Sequence, residues 1–369
     1  MTANETLFVG MLSGTSRDGV DVALVSFAGE RPQLLDSVCL PYPPKIAALL
    51  KEMIDSGQRP PRQKLAEADD LLGEFFGFSV SSLLTSAGVE ATQVAAIGSH
   101  GQTVWHDPEA VHPESIQLGN PRTIAQRTGI TTVADFRRAD LEAGGQGAPL
   151  APLLHRALFR PASGQRVVLN LGGIANISIV ASDGSVMGFD TGPANCLLDA
   201  WVQRQCDEPF DRNGAWAAGG TVNNLLLLEL MLDPYFKKPP PKSTGVEHFN
   251  LAWLLARDRI KSVDSRDVQA TLAQLTASTV AAALTRFEPA ELLVCGGGVH
   301  NNDLLGRLRE LIPGCTVGST DSLGLDPDGI EAVLFAWLAR ERLAQKAQDT
   351  RSITGAGQPV LLGEIFTPA

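Results

Sequence analysis

Residues 7–27 read LFVGMLSGTSRDGVDVALVSF, and residues 167–180 read VVLNLGGIANISIV. In the first stretch an apolar run, Leu7–Leu12, meets a loop of Gly, Ser, Thr and Asp. It then returns as Val20–Phe27, partly alternating polar with apolar, which predicts a β-hairpin. In the second, Val167–Leu171 is an apolar strand, Gly172–Asn176 the loop and Ile177–Val180 the returning strand. A glycine-bearing hairpin therefore opens each half, a duplication of architecture and not a short sequence repeat. Short buried strands follow at Val94–Ile97, Thr131–Ala134 and Leu292–Cys295. Between them lie helical patterns such as Leu65–Leu84, Cys196–Gln205, Asp267–Phe287 and Gly329–Ala344. The alternation predicts α/β layers in each half. Arg160–Gln165 has the composition of a linker, so the expected domains are residues 1–162 and 163–369. Pro234–Ser243, with four prolines and three lysines, reads as a surface loop.

The length of 369 residues favours two cores, and 44 % hydrophobic content excludes disorder as the main state. Thirty Lys+Arg against 41 Asp+Glu give a net charge of −11, a surface that repels a phosphate backbone. Nucleic acid is excluded as a general partner, while a local basic site for a small anion is not. Five scattered cysteines without a CxxC pair argue against a disulfide framework or structural zinc, and fit a reducing compartment. The N-terminus lacks a basic region ahead of its apolar run, and no stretch has the roughly 18 apolar residues a membrane helix needs. The expectation is a soluble, cytoplasmic protein with small-molecule partners; a homodimer is compatible with it.

Three glycine loops suit ligand contact. Backbone N–H groups in tight turns make concave anion sites, and Ser or Thr hydroxyls add donors. Ser13–Asp21 and Gly172–Asn176 offer this between strands, and Gly296–Gly298 at a strand-to-helix junction. None fits GxxxxGK[ST], and none fits GxGxxG in a βαβ context. Any one of them reads equally as a tight turn; three in corresponding places favour a ligand. Among the acids Asp18, Asp21, Asp135, Asp140, Asp190 and Glu331, Asp190 sits between glycines and a proline where a strand ends before a helix. That setting suits a general base, or a structural turn aspartate. His100 and Gln102 follow a buried strand and fit polar ligand contacts. Arg137 and Arg138 follow another, and read as an anion fork or as an ion pair with Asp140. Cys196 and Cys295 lie in apolar stretches as packing residues.

Taken in order, Met11–Asp21, Gly98–His106, Asp135–Asp140 with Gly144–Pro149, Asn170–Ser178, Gly188–Asn195 and Cys295–Asn301 resemble the signature of the anhydro-N-acetylmuramic acid kinases. The resemblance runs on to Leu362–Phe366, with Trp105, Thr191 and Ala194 at positions where the family varies. It implies an α/β fold of the actin, hexokinase and heat-shock chaperone superfamily, two ribonuclease-H-like domains with an ATP cleft between them. It also implies an ATP-dependent kinase that adds water across the 1,6-anhydro bond of anhydro-N-acetylmuramic acid and phosphorylates the freed 6-hydroxyl.

On this resemblance Gly14, Thr15, Ser16, Arg17, Asp18, Gly19, Val20 and Asp21 form the first phosphate loop, with Asp18 or Asp21 near Mg²⁺. Gly172, Gly173 and Asn176 form the second, and Gly296, Gly297 and Gly298 approach the nucleoside. Asp190 matches the general base, and Glu331 helps to position water. Ser13, His100, Gln102 and Arg137 contact the sugar or its lactyl group. Two other classes stay open: an ATP-driven clamp like a chaperone ATPase domain, and a sugar or acetate-type kinase without anhydro-bond hydrolysis. The clamp would need a peptide-binding module for which no residues remain.

Overall fold

The computed structural model describes residues 7–14, 19–28, 32–55, 57–287 and 289–368. The strands are β1 (Leu7–Ser13), β2 (Gly19–Ser26), β3 (Gln33–Pro41), β4 (Val94–Asp107), β5 (Glu114–Leu118) and β6 (Thr132–Ala134). They continue with β7 (Gln165–Leu171), β8 (Ile174–Ala181), β9 (Val186–Pro193), β10 (Glu291–Cys295), β11 (Thr316–Ser319) and β12 (Glu364–Phe366). The helices are α1 (Pro44–Asp55), α2 (Arg62–Ala87), α3 (Pro121–Thr128), α4 (Arg138–Glu142), α5 (Ala151–Leu158) and α6 (Asn195–Cys206). Then come α7 (Ala215–Ala218), α8 (Asn224–Met231), α9 (Leu251–Leu255), α10 (Ser265–Leu284), α11 (Asn302–Leu311) and α12 (Ile330–Leu343).

The chain forms two compact units, Met1–Leu154 with Gly329–Ala369, and His155–Asp328. In the first, the sheet order is β12-β6-β4-β1-β2-β3, with β5 also paired to β4. β1, β2 and β3 are antiparallel, while β4 runs parallel to β1 and β6 parallel to β4. In the second, the order is β11-β10-β7-β8-β9, with β7, β8 and β9 antiparallel, β10 parallel to β7 and β11 parallel to β10. Five strands of the first sheet, β6-β4-β1-β2-β3, repeat the order and directions of β11-β10-β7-β8-β9, the ribonuclease-H-like arrangement; β5 and β12 are additions to the first, and each sheet begins with the hairpin expected from its sequence.

The helices follow from apolar spacing. α2 buries Ala68, Leu72, Phe76, Val80 and Leu83, an i, i+4 stripe laid on the β1–β2–β4 core. Gly88 ends it in the left-handed conformation, φ 66°, where its N–H bonds the Thr85 carbonyl. α12 is buried almost all round, because it lies flat against sheet backbone. A side chain at Gly10 would overlap the Ala332 carbonyl oxygen, and one at Gly98 the Phe335 carbonyl oxygen. Gly10 and Gly98 are register partners on β1 and β4, so together they form the trough in which α12 rests.

This trough explains a departure from the expected division at 162/163. That division puts the segment from Gly329 in the second domain, whereas its helix packs on the first sheet. A second departure concerns Pro234–Ser243, which is not simply surface: Tyr235 is 3 % exposed and Lys242 8 %. Strands β3, β5, β11 and β12 had no counterpart in the sequence reading, and the strand at Val94–Ile97 runs on to Asp107.

Gly98→Val should lower the unfolding free energy by about 3 kcal/mol, since the new side chain must displace α12. Gly306→Ala, inside α11 with open space around its Cα, should raise it by about 1 kcal/mol. Urea denaturation of both variants checks the pair; equal stabilities would show that the trough is not close-packed.

Candidate active site

In the second unit, β7 and β8 are joined by Gly172 and Gly173 alone. Register sets Asn170 opposite Asn176, and Asn176 opposite Asp190. Cross-strand partners share a face, so these three side chains form one polar row across the sheet. The pairing shifts between Ala175 and Asn176, leaving Thr191 as an extra residue on β9, a bulge that bends the strand beside Asp190. The Asn176 Oδ1 is buried without a hydrogen-bond partner among the described residues, an acceptor available to a ligand.

The hairpin tip is fixed from behind. Ala194 and Cys196 N–H groups donate to the Gly173 carbonyl at 3.0 and 3.1 Å, and Asn195 N–H to the Gly172 carbonyl at 3.1 Å. The Asn195 side-chain amide donates to the Leu171 carbonyl at 2.9 Å. The start of α6 thus takes up the carbonyl side of the glycine turn.

The three glycines after β10 divide by role. Gly296 has φ 77°, and a side chain there would overlap Asn170; a Cβ at Gly298 would stand 2.5 Å from the Leu171 Cβ. Both are glycine for the protein's own packing. A Cβ at Gly297 meets nothing nearer than the Asn195 amide nitrogen, at 4.0 Å. Packing leaves the middle position free to carry a side chain.

Asp190 is 7 % exposed and held at three points. Its Oδ2 accepts from the Thr244 N–H at 2.8 Å. Its peptide N–H donates to the Lys242 carbonyl at 3.1 Å, and its peptide oxygen accepts the Tyr235 hydroxyl at 2.8 Å. The residues that grip it come from the proline-rich stretch, and the sequence reading missed them. Its one legible signal was Tyr235, since the chain has only two tyrosines.

In the first unit, Ser13 closes β1 with its hydroxyl 2.7 Å from the Gly19 carbonyl and 2.6 Å from the Gln102 Oε1. One hydroxyl proton serves these acceptors one at a time. Gly14 follows at the strand end, while Thr15, Ser16, Arg17 and Asp18 lie outside the described residues. Gly19 packs against the Leu40 carbonyl, and the Val20 side chain belongs to the core, which leaves only its backbone for a ligand. Asp21 is part-buried on β2, opposite Leu12 and Cys39. Glu331 stands in the first turn of α12.

His100 and Arg137 are brought together. The His100 Nδ1 lies 3.0 Å from the Gly101 carbonyl, so it carries the proton and leaves the Nε2 lone pair for the Arg137 guanidinium at 2.8 Å. Its ring packs on Phe335 of α12, centroids 4.7 Å apart. Burial, then the Arg137 charge, holds the His100 pKa well below the usual imidazole range. Arg138 instead pairs with Asp135 at 2.5 Å. Asp140, fully buried, pairs with neither arginine: its carboxylate accepts from Gly147 N–H at 2.7 Å and from the hydroxyls of Thr350 and Thr354 at 2.5 and 2.8 Å. Its role is to tie the glycine loop to the C-terminal segment. A cavity of about 750 Å³ opens beside His100, Asp135 and Arg138. Ser99 lines it with a buried hydroxyl that has no partner among the described residues. Ser13, Gln102 and Arg137 are not among its walls.

None of the five cysteines is in a disulfide, and burial pushes the Cys196 thiol up to about 12. Among the described residues no three His, Cys, Asp or Glu side chains converge on a metal position. Nor is any described helix long and apolar enough to cross a membrane.

A family model described as "Anhydro-N-acetylmuramic acid kinase" matches residues 6–368. A curated protein of that name from Xanthomonas oryzae pv. oryzae (strain MAFF 311018) is 48 % identical over 365 residues, 98 % of this chain and 97 % of that protein. Another, from Xanthomonas axonopodis pv. citri (strain 306), is 48 % identical and covers 98 % of each chain. Among solved structures, the activator of the 2-hydroxyisocaproyl-CoA dehydratase from Clostridium difficile with bound ADPNP matches at TM-score 0.45 and 9 % identity, over 93 % of this chain and 99 % of that one.

Three histidines should stay neutral in the folded protein: His100, and His106 and His155, whose pKa values burial lowers to about 3. The unfolded chain protonates them near 6.5, so it binds more protons and stability falls as pH drops below that value. Each contributes up to about 1.4 kcal/mol per pH unit. In folded protein their imidazole NMR signals should not titrate between pH 7 and 5. A midpoint near 6.5 for any of them would overturn the assignment.

Proposed function

The chain belongs to the anhydro-N-acetylmuramic acid kinase family, and on that premise we propose which of its residues perform the reaction. The enzyme uses ATP to open the 1,6-anhydro ring of anhydro-N-acetylmuramic acid and phosphorylate its 6-hydroxyl, a step in the recycling of cell-wall peptidoglycan. Water adds to the anomeric carbon as the bond from that carbon to the 6-oxygen breaks. The 6-oxygen takes the γ-phosphoryl group of ATP, and ADP leaves with N-acetylmuramic acid 6-phosphate.

Asp190 takes the proton of the attacking water. The observation that carries this role is the immobilisation of its carboxylate at the end of a polar row on rigid strands, one oxygen fixed by Thr244 N–H. Asn176, with its unpartnered oxygen beside Asp190, orients ligand hydroxyls. Gly172 and Gly173 present their N–H groups to phosphate, which suits a turn whose carbonyls are already bonded to α6. Gly297 lies under the nucleoside. In the first unit His100, Arg137, Ser13 and Gln102 contact the sugar, with Glu331 helping to position water. The neutral His100 leaves the guanidinium of Arg137 to supply the positive charge for the lactyl carboxylate.

Mg²⁺, when bound with ATP, neutralises charge on the phosphoryl oxygens. It would be held through one or two carboxylates, water and the phosphates of ATP. Asp21 is the described candidate and Asp18 the other. The proposed compartment is the cytoplasm, in keeping with five cysteines outside any disulfide.

ATP turnover measured with anhydro-N-acetylmuramic acid and with N-acetylmuramic acid tests the reaction: the anhydro form should be consumed and the open sugar not. Preference for the open sugar would reduce the enzyme to a simple sugar kinase. Asp190→Asn should cut kcat by about 10²–10⁴-fold while calorimetry finds both substrates still bound. A variant near wild-type rate removes Asp190 from the role. Gly297→Val should fold normally, because its side chain meets open space, yet weaken ATP at least tenfold and leave sugar affinity alone. Unchanged nucleotide affinity would refute that placement.

A further inference from the structure

The proline-rich stretch that grips Asp190 belongs to a longer loop, and one carboxylate closes that loop at its neck. Asp233, 8 % exposed, stands at the start and caps the single helical turn Pro234–Lys237, its Oδ1 accepting the Tyr235 N–H at 2.9 Å. Its Oδ2 reaches the other end. There it accepts the Trp253 Nε1–H of α9 at 2.8 Å, and it meets the His248 Nε2 at 3.2 Å and the Arg257 guanidinium at 3.7 Å. The two oxygens of one side chain thus join segments 20 positions apart. Burial would raise the Asp233 pKa, but the bonds from Trp253, Tyr235 and His248 outweigh it and hold the carboxyl below its usual range. An ionised acceptor makes the stronger kind of hydrogen bond, so the closure is firm.

Three bonds to Asp190 come from inside this loop. The Tyr235 hydroxyl donates to the Asp190 peptide oxygen, the Lys242 carbonyl accepts the Asp190 N–H, and the Thr244 N–H donates to the Asp190 Oδ2. The loop is filled by its own rings: Phe236 stacks on Phe249 with centroids 5.5 Å apart, and Trp253 meets Phe249 edge-on at 5.1 Å. Phe236 also fills the space over Gly192, two residues beyond Asp190 on β9. A loop of this length has many conformations when open, and joining its ends removes most of them. The strap from Tyr235 to Thr244 inherits that order.

We propose that Asp233 is a positioning residue for the base, clasping the two ends of the loop so that Tyr235, Lys242 and Thr244 present a fixed grip to Asp190. The proposal rests on Asp190 being that base. Proton transfer to a carboxylate needs hydrogen-bond reach to one atom, and a displacement of about 1 Å caused far from the chemistry can cost about 10²-fold in rate. Asp233 touches no reacting atom in this role; it acts through the strap alone.

Asp233→Asn tests the clasp with almost no change of shape. An amide has one acceptor oxygen where the carboxylate has two, so it satisfies the Tyr235 end or the Trp253 end and sets its NH₂ against a donor at the other. The kcat should fall about ten- to a hundredfold, with KM for both substrates within about threefold of wild type. On an Asp190→Asn background the same substitution should lower kcat no further, because the aim of a lost base has no consequence. His248, whose side chain is 41 % exposed, supplies a gentler pair: His248→Leu should lower kcat, and His248→Gln, which keeps a donor for Oδ2, should restore it. If Asp233→Asn does not fold, Trp253→Phe takes its place in both backgrounds with the same expectations, since it keeps a ring and removes the Nε1–H. A lowered Tm with kcat unchanged, or losses that multiply in the double variant, overturns the proposal. If Asp190→Asn alone stays active, the base assignment fails first, and that single variant tells the two failures apart.

Discussion

The first unit depends on one close approach, α12 lying against the bare backbone of Gly10 and Gly98. The contact is short enough that no side chain fits at either glycine. Its consequences reach in several directions. It brings the C-terminal segment back to the sheet that the N-terminus began, so the unit is closed by residues more than 300 positions apart in sequence. It sets Phe335 beneath His100 and beside Phe136, which orients the imidazole that Arg137 reaches. It also carries Glu331 to the end of the helix at a fixed depth. Asp140 fastens the same segment a second time through Thr350 and Thr354, and a buried carboxylate with three donors is costly to disturb.

The second unit repeats the topology but solves its closure differently. There the glycines are spent on loops. Gly296 and Gly298 let the turn after β10 settle on Asn170 and Leu171, and α6 seizes the Gly172–Gly173 turn from behind. The first unit uses glycine to admit a helix to a sheet, and the second to admit loops to one another. Shared strand order with different glycine use is what separate elaboration of one architecture would leave. It also explains why the duplication appears in hairpin placement and not in sequence identity.

Much of this was legible in the chain because short-range chemistry decided it. Hairpins around Gly14 and Gly172, the long apolar stripe of α2 and the buried strand at Leu292 all follow from period and turn residues. Illegible were features decided by distant partners. β12 exists because β6 offers an open edge, and three residues near the C-terminus could not announce that. Gly10 reads as a glycine within a strand and Gly98 as the residue just after one, and neither announces the helix α12 that lies on them. Composition misled at Pro234–Ser243, where proline and lysine suggest solvent, while Tyr235 anchors the stretch to the Asp190 backbone and carries Lys242 inward. Among the proposed site residues, the glycine loops and Asp190 drew notice through their motifs. Their supports (Thr244, Asn195 and Phe335) belong to other elements and had no local signal.

The two units also differ in how they handle charge, and the difference suits what each is asked to do. In the first, the buried histidine is kept neutral and a guanidinium stands beside it, which makes a fixed positive surface that does not change with pH in the working range. Recognition of an anionic group needs that constancy. In the second, the Asp190 carboxylate is held by a strap whose own lysine is buried beside Tyr235. Its Oδ2 accepts one backbone N–H, and its peptide N–H and carbonyl are both bonded to the strap, so the side chain leaves the strand in a fixed direction. The base role proposed for it would draw on that fixing, because proton transfer demands hydrogen-bond reach to one atom. A bulged strand, a glycine turn clamped by a helix and a proline-rich strap meet at this carboxylate, so the rigidity of the second unit is concentrated around it.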